Sequence, residues 1–149
     1  MASDFDGVLF LRGVEVIARL PIASGTVVTI GEMLKYSGSA LEVMGATTDN
    51  LIFIGIAKEA HAATDPAGYI SVALPTATAV YRANLDAAAS LEAGANLQAY
   101  ASAPSTKLTA SDTDSIASTV EKTTSLAYIE VVFKIPNKTG GPRMVGDAS

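Results

Sequence analysis

The stretch that decides the fold is LIFIGIAKEAHAATDPAGYISVAL, residues Leu51–Leu74. It has two apolar arms, Leu51–Ala57 and Tyr69–Leu74, joined by a polar connection that carries Pro66 and Gly68. Short runs rich in β-branched and aromatic residues, bounded by Pro, Gly and Asp, are typical of β-strands. The first arm is apolar on both faces, which predicts a central, covered strand, and the second alternates as a half-buried strand does. We therefore expect two strands of one sheet.

A fainter copy of this pattern lies towards the C-terminus. Three pairs of segments are similar and keep their order along the chain: Val28–Leu34 with Leu91–Leu97, Gly55–Ala57 with Ser115–Ala117, and Tyr69–Leu74 with Tyr128–Phe133. Two copies of one supersecondary unit, each unable to cover its apolar face alone, would explain the similarity. Coincidence between two short β-rich patterns is the alternative.

Composition excludes several classes of protein. A chain of 149 residues is one domain by length and can bury about two thirds of its unfolded surface. Its net charge of −5 and the absence of any basic run argue against nucleic-acid binding, which needs clustered Lys and Arg. No apolar run reaches the roughly 18–20 residues that span a bilayer, so no membrane partner is expected. The N-terminus does not resemble a signal peptide, and the chain has no cysteine. We expect synthesis in the cytoplasm, without secretion by the usual route.

The rest of the chain alternates short apolar runs with turn residues. We expect a strand over Val14–Leu20 that ends at Pro21, a short strand over Val27–Ile30, and a hairpin of Met33–Tyr36 with Leu41–Met44. The Ala-rich segment Asp86–Ala93 favours a turn or a single helical turn. Further strands are predicted over Asn96–Ala101, Lys107–Ala110, Ile116–Val120 and Ser125–Ile135.

These runs amount to roughly nine to eleven short strands and almost no helix, which predicts an all-β, single-domain small barrel (or β-tulip) or a sandwich. We expect its core to include Ile54, Ile56, Val72, Ile129, Val131 and Phe133. The predicted boundaries are an N-terminal arm over residues 1–13, a β domain over 14–136 and a flexible C-terminal tail over 137–149.

No group of residues predicts catalysis. His61 is the only histidine, no GxSxG motif accompanies it, and we expect it to be a solvated loop residue whose replacement by Ala changes little. Asp112 and Asp114 start like a calcium loop, but the glycine at the sixth position is missing because Ala117 occupies it. We therefore expect no enzyme activity, no cofactor and no metal site.

The chain resembles the small phage head proteins that decorate or cement capsids. The resemblance is carried by Pro21–Val28, Gly31–Leu34, Phe53–Ala57 and Tyr69–Val72, a rhythm of short strands and Gly turns. It implies a small β-barrel on the outside of an icosahedral shell, present as trimers or dimers and bound to the major capsid protein. It also implies an N-terminal arm that extends onto a neighbouring subunit. The tail over 137–149 is longer than the rhythm requires.

The interface residues follow from the N-terminal segment. The acidic arm fits the role of a contact with a neighbour, and the apolar run Val8–Leu11 has no obvious place in a monomeric sheet. The predicted interface residues are Asp4, Phe5, Asp6, Val8, Leu9, Phe10 and Leu11. The expected location is the exterior of the virion. The alternative is a soluble β-rich binding or fibre module that recognises carbohydrate or protein.

Overall fold

The structure is a computed structural model that describes residues 7–36, 39–44, 52–99, 106–110, 115–120 and 123–134. Within these ranges the chain forms eleven β-strands. Their bounds are β1 Leu9–Arg12, β2 Val16–Ile22, β3 Met33–Tyr36, β4 Leu41–Val43, β5 Phe53–Ala57, β6 Gly68–Leu74, β7 Val80–Leu91, β8 Asn96–Ala99, β9 Lys107–Ala110, β10 Ala117–Thr119 and β11 Thr123–Phe133. The predicted all-β fold of short strands is confirmed. No helix in these ranges is long and apolar enough to cross a membrane.

The first five strands after β1 close into a barrel in the order β2-β4-β3-β5-β6. β2 runs antiparallel to β6 along its whole length and closes the barrel through one parallel pair, Ile22 with Leu41. β5 and β6 are two strands of one sheet, as predicted, and they pair antiparallel with each other. Every residue of β5 is buried, as expected of a covered strand. The predicted hairpin of β3 with β4 also forms.

The remaining strands form a second ring. β7, β11, β10, β8 and β9 follow one another as neighbours, and β9 pairs back onto β7 in parallel at Asn84 and Leu85. β1 lies outside this ring and pairs antiparallel with the start of β7, at Val80–Arg82. A second small barrel with one added edge strand results.

The two barrels have the same strand pairing. In each, the first strand is antiparallel to the fifth and parallel to the third, the second pairs with the third and the fourth, and the fourth pairs with the fifth. The predicted internal duplication is therefore present in the topology. Equivalent core positions also match, because Leu34 and Leu97 lie in equivalent registers and both are fully buried.

Two of the three predicted segment matches hold in the structure. The turn of Thr29–Glu32 has its counterpart in Glu92–Ala95, since each closes with a hydrogen bond from the fourth backbone N–H to the first carbonyl. Val72 and Val131 occupy equivalent places on the fifth strands, opposite Ala57 and Thr119.

The third match is shifted. Leu34 pairs with Gly55 in the first barrel, and its equivalent Leu97 pairs with Ala117 in the second. Gly55 therefore corresponds to Ala117, and the sequence match of Gly55 with Ser115 is wrong by two residues. A run of small and branched residues allows several alignments, whereas the backbone hydrogen bonds allow one.

The barrels share part of their core. One buried cluster combines residues of both barrels, and within it the ring of Phe53 in β5 stacks on that of Phe133 in β11 at 5.4 Å between centroids. A second cluster fills the first barrel alone. All six predicted core residues are buried: Ile54, Ile56, Val72, Ile129, Val131 and Phe133.

Three predictions of secondary structure are wrong. Asp86–Leu91 continues β7 and does not form a helical turn, because β11 supplies hydrogen-bond partners along it. Val27–Ile30 makes only an isolated bridge, between Val28 and His61, followed by a turn. β2 also continues through Pro21 to Ile22. Proline is tolerated in the strand because no described strand pairs with the outer side of β2 at Pro21, so its missing N–H leaves no hydrogen bond unmade.

Several predictions fall outside the described residues. These are the N-terminal segment 1–6 with Asp4, Phe5 and Asp6, the Asp112 and Asp114 pair, and the tail over 137–149. Of the predicted arm, residues Leu9–Arg12 are the strand β1.

Candidate binding surface

The apolar run that was predicted to contact a partner divides into two halves. Val8 is buried, and Phe10 packs edge-on against the ring of Tyr81 at 5.6 Å between centroids. Leu9 and Leu11 are exposed, at 38% and 39%. The expectation that the whole run lacks a place in the monomer is therefore wrong, because β7 provides one. Its outward half remains free to contact a partner.

The consecutive strands β1 and β2 run alongside the consecutive strands β6 and β7, because β1 pairs with β7 and β2 pairs with β6. A bend separates the two strands of each segment. Between the strands, Val14 donates its N–H to the hydroxyl of Thr78 at 3.2 Å and accepts a hydrogen bond from the hydroxyl of Thr76 at 2.7 Å. Gly13 stands at the bend with φ of +100°, and a Cβ there would lie 2.0 Å from the carbonyl oxygen of Thr78. Only glycine fits this approach.

The outer side of this segment is an unpaired β-edge. β1 has β7 as its only neighbour, and β2 has a neighbour on its outer side only at Ile22, among the residues that the structure describes. We call the outer side of Leu9–Pro21 the open edge. Nine large apolar side chains are exposed in the described chain, and five of them lie here: Leu9, Leu11, Val14, Val16 and Ile17. The open edge is thus the main apolar surface.

The two arginines of the open edge are held by carboxylates of the same chain. Arg12 contacts Glu130 at 2.9 Å, and Arg19 contacts Glu59 at 2.9 Å. Arg19 also donates to the carbonyl of Tyr69 at 2.8 Å. The pKa of the Glu59 carboxyl lies below its usual range, first because the backbone N–H of Ser71 donates to it and further because Arg19 stands beside it. The positive charge of each arginine is thereby neutralised within the chain.

The one acidic residue of the open edge points inwards. Glu15 accepts hydrogen bonds from the hydroxyl of Tyr81 at 2.9 Å and from the ammonium of Lys58 at 3.2 Å. Burial raises the pKa of the Tyr81 hydroxyl, and the adjacent Glu15 raises it further. This cluster joins the residue before β2 to β7 and to Lys58 after β5, and it leaves no free carboxylate on the open edge.

A shallow groove of about 450 Å³ lies where the open edge meets the end of the first barrel. Tyr69, 60% exposed, stands on one side of it. The other lining residues are small or apolar: Pro21, Ile22, Ala23, Ser39, Ala40, Ala67 and Gly68. An exposed aromatic ring beside an apolar recess is a common anchor point in protein interfaces. We call this the Tyr69 groove.

His61 is enclosed by the protein and does not lie in solvent. Only 6% of the residue is exposed, and its backbone forms the bridge with Val28. Its Nδ1 lies 2.6 Å from the carbonyl oxygen of Thr26, and its Nε2 lies 2.9 Å from that of Pro66. The prediction of a solvated loop histidine is wrong, because neighbours distant in the sequence enclose the ring.

The two carbonyls set the protonation of the His61 ring. The carbonyl of Thr26 raises the pKa of the ring most, and the carbonyl of Pro66 raises it further. Burial lowers this pKa, and the negative charge of Asp65 raises it. A neutral imidazole can donate to only one of the two oxygens, whereas the imidazolium donates to both. The ring therefore ties two loops together. Both ring nitrogens are occupied by backbone oxygens, which leaves neither nitrogen to activate a nucleophile.

The described residues hold no cluster of three or more His, Asp or Glu side chains that would bind a metal ion. The open edge, which includes the exposed Leu9 and Leu11, and the Tyr69 groove are the two candidate binding surfaces, and both suit contact with protein. The sequence pointed to Leu9 and Leu11, but it did not indicate Val14, Val16 or Ile17. The sequence pattern around these three residues predicted a strand, but such a pattern does not reveal which side of the strand lacks a neighbour.

Comparison with known proteins gives a likeness of fold. No family model matches the chain, and no curated protein matches it. Among solved structures, the head fiber gp8.5 N base of bacteriophage phi29 is similar, with a TM-score of 0.51 and 17% sequence identity. The match covers 80% of this chain and 95% of that one. The likeness at this identity is one of fold, and it agrees with the resemblance to phage head proteins that the sequence suggested.

Proposed function

We propose that the chain is a structural protein of a phage virion, without enzyme activity, that decorates and stabilises the outer surface of the head shell. Its partner is the major capsid protein, and it binds as a small symmetric oligomer. The observation that carries the proposal is the shared fold with a phage head fiber base, which extends over 95% of that chain. The apolar, weakly charged open edge supports it, because charge-poor apolar surfaces are typical of interface cores.

The Tyr69 groove is the contact that we assign to the shell. It lies at the end of a rigid barrel, and it has room for one or two apolar side chains of a capsid subunit. A symmetric oligomer can engage several identical sites of the shell at once, so modest affinity at each contact adds up to tight binding. Residues 1–6 provide a second contact, since Asp4, Phe5 and Asp6 precede β1, which is anchored to the sheet.

Co-sedimentation with empty expanded shells of the phage that encodes the chain tests the proposal. We expect the intact chain to pellet with shells and to raise the temperature at which they break open. Tyr69→Ala and deletion of residues 1–6 should each weaken binding by about tenfold or more, as loss of an interface anchor does. Val27→Ala is the matched control, because Val27 is 55% exposed and lies outside the groove. Failure of the intact chain to bind shells would refute the function, and binding that is unchanged in both variants would refute the assigned contacts.

A second candidate is the base of a head fibre. The similar structure is itself a fiber base, which favours this reading. Electron micrographs of decorated shells separate the two functions. Compact knobs at the shell surface support decoration, whereas filaments that extend from the bound barrels support a fibre base.

A further inference from the structure

The two barrels differ at one equivalent edge. β1 covers the start of β7, with Leu9 opposite Arg82 and Phe10 opposite Tyr81. The equivalents of Tyr81 and Arg82 in the first barrel are Ala18 and Arg19, since they face the equivalent residues of the fifth strand. β6 pairs with them on one side, and no strand of the described chain lies on their other side. In the second barrel an extended segment, β1, thus occupies this edge, whereas the same position in the first barrel is vacant.

Within the vacant stretch Val16–Leu20, β2 lacks the devices that normally keep edge strands apart. Exposed edges are commonly protected by free Lys side chains, Pro or bulges. This stretch contains no Lys and no Pro, it pairs with β6 without a bulge, and its one charged residue, Arg19, is neutralised by Glu59. Its exposed apolar residues are Val16 and Ile17. Two identical copies of such an edge meet without repulsion between like charges, and each supplies the backbone groups that the other lacks.

We propose that the open edge is the interface between two copies of this chain. The stretch Val16–Leu20 of β2 pairs antiparallel with the same stretch of a second copy, in the way that β1 pairs with β7. An interface that uses the same patch on both copies is closed by a twofold axis and stops at two. Pro21, which has no N–H to donate, limits the ladder at one end. The proposal does not depend on binding to a shell.

The absence of cysteine makes the first test direct. Pairing Val16–Leu20 antiparallel with its own copy places Ala18 opposite Ala18 and Ile17 opposite Arg19. A disulfide needs Cα atoms within about 7 Å, so residues that face each other across the twofold axis are linked quickly. We therefore oxidise the full-chain variant Ala18→Cys mildly, and likewise an equal mixture of Ile17→Cys with Arg19→Cys, with the exposed Val27→Cys as the control. We expect Ala18→Cys and the mixture to form covalent dimers at least tenfold faster than the control, and rates equal to that of the control would overturn the proposal.

A charge on the edge provides the second test. Ile17→Lys places a free cation on a side chain that is 47% exposed, so folding should be unaffected, as circular dichroism and the melting temperature will show. We expect the dimer dissociation constant, measured by sedimentation velocity, to rise at least tenfold for Ile17→Lys and to stay unchanged for Val27→Lys. A wild-type chain that is monomeric at about 0.1 mM overturns the proposal, as does association that Ile17→Lys leaves intact.

One outcome identifies a different occupant. If the wild-type chain is monomeric alone but Ile17→Lys loses shell binding, a strand of the capsid protein occupies the edge, and pairing between copies is refuted. If dimers form and cross-link as expected while shells are not bound, the function proposed above fails and the interface stands.

Discussion

Truncation of Phe133 tests whether the two barrels form one cooperative unit. The side chain is 2% exposed, and it lies where β11 of the second barrel meets β5 of the first. Its ring stacks on Phe53 at 5.4 Å and meets Tyr81 edge-on at 5.5 Å. Phe133→Ala removes contacts on both sides of the junction, so we expect both barrels to lose stability together.

The magnitude follows from burial and ring contacts. Burying a Phe side chain contributes about 1.5–3 kcal/mol, and each of two ring pairs adds about 0.5–1.5 kcal/mol. The sum agrees with the roughly 3–5 kcal/mol measured for Phe→Ala in other cores. A loss of about 4 kcal/mol would lower the urea midpoint by roughly 1–4 M and the melting temperature by about 8–16 °C.

Urea unfolding followed by circular dichroism and by tyrosine fluorescence is the assay. The wild-type chain should unfold in a single transition that both probes report equally. Tyr69→Ala is the control, because truncating a 60% exposed aromatic residue should change stability by less than about 0.5 kcal/mol. A loss below about 1 kcal/mol for Phe133→Ala would show that the site is not enclosed. Two separate transitions in the wild-type chain would refute the shared core.

Three further predictions concern single residues. The pKa of His61 is raised in the folded chain by the carbonyls of Thr26 and Pro66, so its contribution to stability is complete below its unfolded pKa of about 6.5 and is lost as the pH rises through the folded value. The difference in melting temperature between wild type and His61→Gln should therefore shrink from pH 6 to pH 9, and a constant difference would contradict the assignment. Gly13→Ala should cost about 2 kcal/mol or more in urea unfolding because of the positive φ and the carbonyl of Thr78, whereas Gly68→Ala, where a Cβ meets nothing within 4 Å, should be neutral or slightly stabilising. Gly55→Ala should cost about 1–3 kcal/mol, because its Cβ would lie 2.1 Å from the carbonyl oxygen of Ala73. Ala117→Gly, at the equivalent place in the second barrel, should cost no more than about 1 kcal/mol. Similar costs for the two variants would contradict the closer approach of the neighbouring strand at Gly55.

The sequence predicted the strands whose signal is local. β5 and β11 were evident because β-branched and aromatic residues occupy most positions between clear breaks. Asp86–Leu91 failed for the opposite reason. Its alanines favour a helix locally, but Ala89 and Leu91 pair with β11, and that ladder outweighs a weak propensity.

The sequence could not predict features that depend on distant partners. His61 sits in a polar connection, and only the approach of Thr26 and Pro66 shows that it is enclosed. Phe10 was assigned to a partner molecule because the residue that it packs against, Tyr81 of β7, lies far from it along the sequence. The open edge is of the same kind, since the pattern of β2 is that of any half-buried strand and does not show that one side is unpaired.

The duplication shows which edge is covered in one barrel and not in the other. The two barrels keep their interiors alike, for example at the buried pair of Leu41 and Leu108. Their first strands differ in what lies on one side of them. Val80–Leu85 of β7 meets β1 and then β9, whereas the equivalent stretch Ile17–Ile22 of β2 meets only β4, at Ile22. A closed barrel normally removes its edges, so the unpaired stretch of β2 is the one place in the described chain where the repeated design is incomplete, and a second chain can complete it.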